Sequence, residues 1–140
     1  MKTVCILGVL VLSLSCCSIA VHAEDNFEKG AMAAAETWLG HVDAGDYAGS
    51  WREASAYFQG AITEKAWVAS LNRVRTPLGP LLSRQLKQVQ HTTSMPGAPD
   101  GDYVVMQFDT RFANKQAAVE TVTFMQEKKD AWKAAGYYLK

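Results

Sequence analysis

The sequence predicts an α+β domain in which three helices come first and pack on a four-stranded antiparallel sheet. Three observations carry this expectation. Apolar residues recur at helical spacing through the first half, and at alternating spacing from about Leu82 onward. Helix signals and strand signals are segregated along the chain, which argues against alternating βαβ units. The strand segments follow one another through short connections, which implies antiparallel pairing with the helices on one face.

The elements are read in order. Asp25 or Asn26 is suited to cap a first helix, in which Phe27, Ala31, Ala34, Trp38 and Val42 share a face. Ala44-Gly45 ends it, with glycine supplying a left-handed exit. Asp46 caps a brief second helix with Tyr47 and Trp51 one turn apart, although Gly49 weakens it. Thr63 caps a third helix carrying Trp67, Leu71 and Val74, and Thr76-Pro77 and Gly79-Pro80 stop it. Gln85 to Thr93 reads as a polar, edge-like strand. Residues 95–102 are rich in Pro, Gly and Asp and form a long hairpin loop. Tyr103 to Phe112 alternates cleanly, with Val104, Met106, Phe108, Thr110 and Phe112 on one face. Ala117 to Gln126 and Trp132 to Leu139 complete the sheet.

The first 23 residues read as an export signal. Lys2 precedes an apolar run from Val4 to Leu14, and Val21-His22-Ala23 offers a peptidase cleavage site. The run is shorter than the roughly 20 residues that span a bilayer. The expected organisation is therefore a signal peptide over 1–23 and one α+β domain over 24–140, periplasmic or secreted. A lipid anchor through Cys16 or Cys17 is the alternative, since Leu14-Ser15-Cys16-Cys17 resembles a lipobox. All three cysteines lie within the signal, so the mature domain works without thiols, disulfides or thiolate-bound metal. Fourteen basic residues balance fourteen acidic ones, which leaves no field to attract nucleic acid.

Several segments together resemble an exported bacterial family known as domain of unknown function 4019. They are Tyr47-Ala48-Gly49-Ser50-Trp51-Arg52-Glu53-Ala54 with Phe58, Arg75-Thr76-Pro77-Leu78-Gly79, Ser83-Arg84, residues 96–105, Glu120-Thr121-Val122, Trp132 and Gly136-Tyr137-Tyr138. The resemblance implies a cone-shaped fold similar to nuclear-transport-factor-2-like and cystatin-like domains, with the helices against a strongly curved sheet. It brings no activity with it. Lys128-Lys129-Asp130-Ala131 departs from the Asp-Gly turn such proteins tend to have before the Trp.

Catalytic signatures are missing: the chain has no H-E-x-x-H, G-x-S-x-G, G-x-x-x-x-G-K or G-x-G-x-x-G. His41 and His91 lack a third ligand at metal spacing, so no metal or cofactor is expected, and each reads as a capping or surface residue. Glu120 interrupts the apolar row Ala118, Val122, Phe124. If that row meets the helices, its carboxylate enters the interior, where a cation such as Arg84 would pair with it. If Val119, Thr121, Thr123 and Met125 face inward instead, Glu120 is solvated; a one-residue register change decides. Tyrosines suit a pocket because a buried hydroxyl needs a partner. The candidate binding residues are Glu120, Tyr47, Arg84 and Tyr138. Arg73, Arg75 and Arg84 could together hold an anion, but Arg73 and Arg75 cannot share a helix face, so pairing with surface carboxylates is the preferred reading.

These readings favour a non-catalytic module of the cell envelope that binds a small molecule or an envelope protein. One alternative is a pocket enzyme of isomerase or dehydratase type, with Glu120 as base and Tyr47 as donor. The other is an inhibitor-like module that binds through its first strand's edge.

Overall fold

The computed structural model describes residues 18–129 and 131–140, with side chains from Asp25 onward. Most of the expected signal segment therefore lies outside the described residues. Four α-helices, α1 (Ser18–Asp43), α2 (Tyr47–Arg52), α3 (Ala56–Ala61) and α4 (Glu64–Val74), precede a 3-10 turn at Thr76–Leu78. Four strands follow: β1 (Leu81–Thr92), β2 (Tyr103–Phe112), β3 (Lys115–Lys128) and β4 (Ala131–Leu139). They form one antiparallel sheet in the order β1-β2-β3-β4. The expected α+β class and sheet are observed.

The helices differ from expectation in two places. The first begins at Ser18 rather than after Asp25, because Ile19-Ala20-Val21-His22-Ala23 contains no residue that breaks a helix. A fourth helix, α3, stands where the sequence suggested a connection. Ser55 caps it by accepting from Phe58 N–H at 3.1 Å, while the Ser55 N–H donates to Ala134 O at 2.9 Å. One serine thus starts a helix and ties it to β4.

The other helix ends follow the sequence signals. Gly45, at φ +76°, turns the chain out of α1. Asp46 caps α2 by accepting from Gly49 N–H at 2.9 Å, and its other oxygen meets His41 Nδ1 at 2.8 Å. A Cβ on Gly49 would stand 2.0 Å from that second oxygen, so the glycine that weakens the helix also makes room for its cap. Thr63 caps α4 through Ala66 N–H.

The core sits between the helices and one face of the sheet. All five residues read as one face of β2, from Val104 to Phe112, are buried. Trp38 of α1 packs edge-on against Phe124 and lies 5.8 Å from Tyr137, and Trp67 packs edge-on against Phe58. The indoles of Trp38 and Trp67 converge on Ser50, donating to its carbonyl at 2.7 Å and its hydroxyl at 2.9 Å. Trp38, Phe58, Trp67 and Phe124 are buried in this core, and both indoles are hydrogen-bonded.

Candidate functional site

Glu120 faces the interior and is fully buried. Its row on β3 is the one containing Ala118, Val122 and Phe124, all buried. Register places Glu120 opposite Phe108 on β2 and Leu139 on β4, with Arg84 opposite Thr110 on the neighbouring pair. The geometry lets each of the four strands supply one side chain to a single cluster.

The carboxylate of Glu120 is saturated. Oε2 accepts from Arg84 Nε at 2.6 Å and from the Thr110 hydroxyl at 2.8 Å. Oε1 accepts from the Tyr137 hydroxyl at 2.6 Å and from Arg84 at 3.1 Å. The remaining face of the Arg84 guanidinium donates to Asp43, at the end of α1, through bonds of 2.7 and 2.9 Å. Such charge-assisted, two-pronged contacts are the strong form of the hydrogen bond. Arg75 completes the chain of charges: it reaches Asp43 at 3.3 Å, donates to Gly79 O at 2.8 Å, and lies over the Phe112 ring at 4.2 Å. Two guanidinium groups and two carboxylates thus alternate and cancel.

Electrostatics fixes the protonation of the donors. Burial, reinforced by the adjacent Glu120 carboxylate, pushes the Tyr137 hydroxyl well above its ordinary pKa, so it stays a donor. For Arg84, burial opposes the charge, but the hydrogen bonds to Asp43 and Glu120 outweigh it and raise its pKa. With four donors on two oxygens, Glu120 has no lone pair free to take a proton from a substrate. The constellation is a clamp joining all four strands to α1.

The candidate residues divide accordingly. Glu120 and Arg84 are together. Tyr47 is buried nearby but bonds the Thr76 hydroxyl at 2.9 Å, lining a separate cleft by Asp43 and Arg75. Tyr138 is 64% exposed on the outer face; its neighbour Tyr137 holds the interior place. The reason is a β-bulge. Thr123 pairs with Gly136 while Phe124 pairs with Ala134, so Ala135 is an extra residue on β4. Alternation counted from Trp132 would point Tyr138 inward, and the bulge substitutes Tyr137. Asp43, Thr110, Arg75 and Tyr137 were not among the candidates. Thr110, a polar member of the apolar face of β2, carried the clearest signal, and Asp43 lies 41 residues from its partner.

Arg75 and Arg84 share the Asp43 carboxylate and Arg84 also holds the fully buried Glu120, so an interior network stands where pairing with surface carboxylates was expected; Arg73 forms no ion pair among the described residues. His41 bonds Asp46, and His91 bonds Asp102 at 2.8 Å while stacking on Phe27. Among the described residues no three His, Asp or Glu side chains are placed to hold a metal ion, and no helix is long and apolar enough to cross a membrane.

Among the described residues, Glu120 itself lines none of the larger open spaces, although the cleft beside Tyr47 borders Asp43 and Arg75. A groove of about 720 Å³ crosses the outer face of the sheet beside Asp109, Arg111, Val119 and Lys140. A smaller cleft of about 360 Å³ opens between α1 and the β3–β4 end of the sheet.

A family model described as "Protein of unknown function (DUF4019)" matches residues 34–137. The matched span holds the whole clamp, from Asp43 to Tyr137. No curated protein and no solved structure matches.

Proposed function

The chain belongs to the DUF4019 family, and we propose that it is an exported, non-catalytic binding module of the cell envelope, released by cleavage after Ala23. The observation that carries this reading is the saturation of Glu120. Glu120, the carboxylate that the sequence singled out for acid–base work, is sealed at 0% exposure, with both oxygens doubly occupied. General catalysis needs a group within reach of a substrate proton, and the clamp offers none. A rigid frame with open clefts outside it suits recognition. The leader-like start, the even charge balance and the cysteine-free domain from residue 24 onward fit a periplasmic or secreted location.

Binding through the sheet edge is the second reading. Leu82 and Leu86 on edge strand β1 are 55% and 47% exposed. Register shifts near Ser83 and Gln88 interrupt that edge, a device that discourages strand addition.

The test is purification of the mature protein from its native envelope. The expected result is a chain beginning at Glu24 with a small molecule bound, or a melting temperature raised by a metabolite that is not consumed. Turnover of that metabolite, or neither co-purification nor any thermal shift, overturns the reading.

A further inference from the structure

The cleft between α1 and β4 has the make-up of a small-ligand site, and this inference rests on the binding-module reading above. Its floor is aromatic: Trp38, Phe124 and Trp132 are 3%, 1% and 7% exposed. Its rim carries charges of both signs. Lys133 Nζ lies 3.3 Å from a Glu53 carboxylate oxygen, and both side chains are well exposed. His41 and Thr37 stand on the α1 side. The volume, about 360 Å³, falls within the range of small-molecule pockets, and the pattern of apolar floor and few polar groups is the usual one.

We propose that this cleft binds a free α-amino acid with a large apolar or aromatic side chain. The side chain lies on the aromatic floor, where edge-to-face packing is favourable. The ammonium meets Glu53 and the carboxylate meets Lys133. An isolated cation or anion would leave one rim charge without a partner, whereas a zwitterion answers both. The existing Glu53–Lys133 contact is no obstacle, because an exposed ion pair contributes little and opens cheaply.

Calorimetric titration of the mature protein with four probes tests this. L-phenylalanine is expected to bind. Phenylpropionate, which lacks the ammonium, phenethylamine, which lacks the carboxylate, and L-alanine, which lacks the ring, are each expected to bind about tenfold more weakly or worse. Lys133→Met and Glu53→Gln should each weaken L-phenylalanine by about tenfold. Tm should change little, since Glu53 is exposed, Lys133 is half-exposed, and their mutual ion pair is a surface one. Thr37→Phe, on the exposed rim, should block the cleft in a protein that still melts normally. Equal binding of phenylpropionate and L-phenylalanine overturns the zwitterion site and leaves the binding module standing. Binding of L-phenylalanine unaffected by all three variants places the ligand elsewhere and overturns the cleft. If no probe binds, the amino-acid site is lost; if the envelope purification also yields no ligand, the binding module is lost with it.

Discussion

Arg84 Nε lies 2.6 Å from Glu120 Oε2, yet the two residues depend on each other unequally. Arg84 is held by two carboxylates, those of Glu120 and Asp43. Among the described residues Glu120 has one cation, Arg84, and is the more deeply buried of the two. Removing the arginine therefore strands a charge, while neutralising the glutamate does not.

This asymmetry is measurable. Arg84→Met should cost about 3–5 kcal/mol, the penalty for leaving a buried charge unpaired. Glu120→Gln should cost about 1–2 kcal/mol, because Arg84 keeps Asp43 and the amide still accepts from some of the donors. Urea denaturation of the two variants checks the order. Equal losses would mean that the pair stabilises as an ordinary reciprocal ion pair.

Tyr137 and Tyr138 are adjacent in sequence and should behave as opposites. Tyr137→Phe removes a hydrogen bond to a buried carboxylate and should cost about 1.5–3 kcal/mol. Tyr138→Phe, on the outer face, should change stability by less than about 0.5 kcal/mol. The alkaline limb separates them as well. The folded-state pKa of Tyr137 is raised above its ordinary 10.0, so its contribution is fully present below that pH and is lost as the pH rises above it. Melting curves of wild type and Tyr137→Phe should converge in that range.

Asp46 gives the acid counterpart. The hydrogen bond to His41, aided by that from Gly49 N–H, lowers its pKa below the ordinary 3.8. Its contribution is present above 3.8 and is lost as the pH falls through the folded value. Asp46→Asn keeps a capping oxygen but no charge. Its Tm deficit against wild type should shrink as the pH is taken below about 4; a deficit independent of pH would show that the charge contributes nothing.

Two glycines of α1 should respond to the same substitution with opposite signs. A Cβ at Gly40 meets nothing within 4 Å, so Gly40→Ala should stabilise by about 0.5–1 kcal/mol through helix propensity alone. A Cβ at Gly30 would stand 2.9 Å from Trp132 Nε1 and 3.1 Å from its ring carbon. Trp132 is buried and cannot retreat freely, so Gly30→Ala should destabilise by about 1–3 kcal/mol. Thermal unfolding of the two variants decides; stabilisation by both would mean that the indole shifts at no cost.

The sequence made some of this architecture legible and hid the rest for identifiable reasons. Strand β2 could be read because inward Met106, Phe108, Thr110 and Phe112 alternate with polar Gln107, Asp109 and Arg111, and its five inward positions are all buried. The exit from α1 could be read because only a glycine suits φ +76°. Helix α3 was hidden although α2, equally short, was legible: Tyr47 and Trp51 stand one turn apart in α2, whereas α3 carries a single buried residue, Phe58, and so shows no pair at helical spacing. Glu120 and Arg84 were recognisable as a possible pair, but the register that unites them depends on pairing across β2. The choice of Tyr138 over Tyr137 reflects a bulge, which shifts parity and leaves no mark in the pattern of polar and apolar residues. Asp43 was hidden by its position at a helix end, where a carboxylate ordinarily meets water.

The clamp draws its parts from widely separated points of the chain, with Asp43 at the end of α1 and Tyr137 in the last strand. A chain that stops before β4 leaves Glu120 short of a donor and Trp38 short of an aromatic neighbour. The arrangement is thus a check on completeness: the Glu120 carboxylate has its full set of donors only when the last strand is in place. Damage to the final few residues should be felt first at Glu120 on β3 and at Trp38 of α1, the groups that Tyr137 touches.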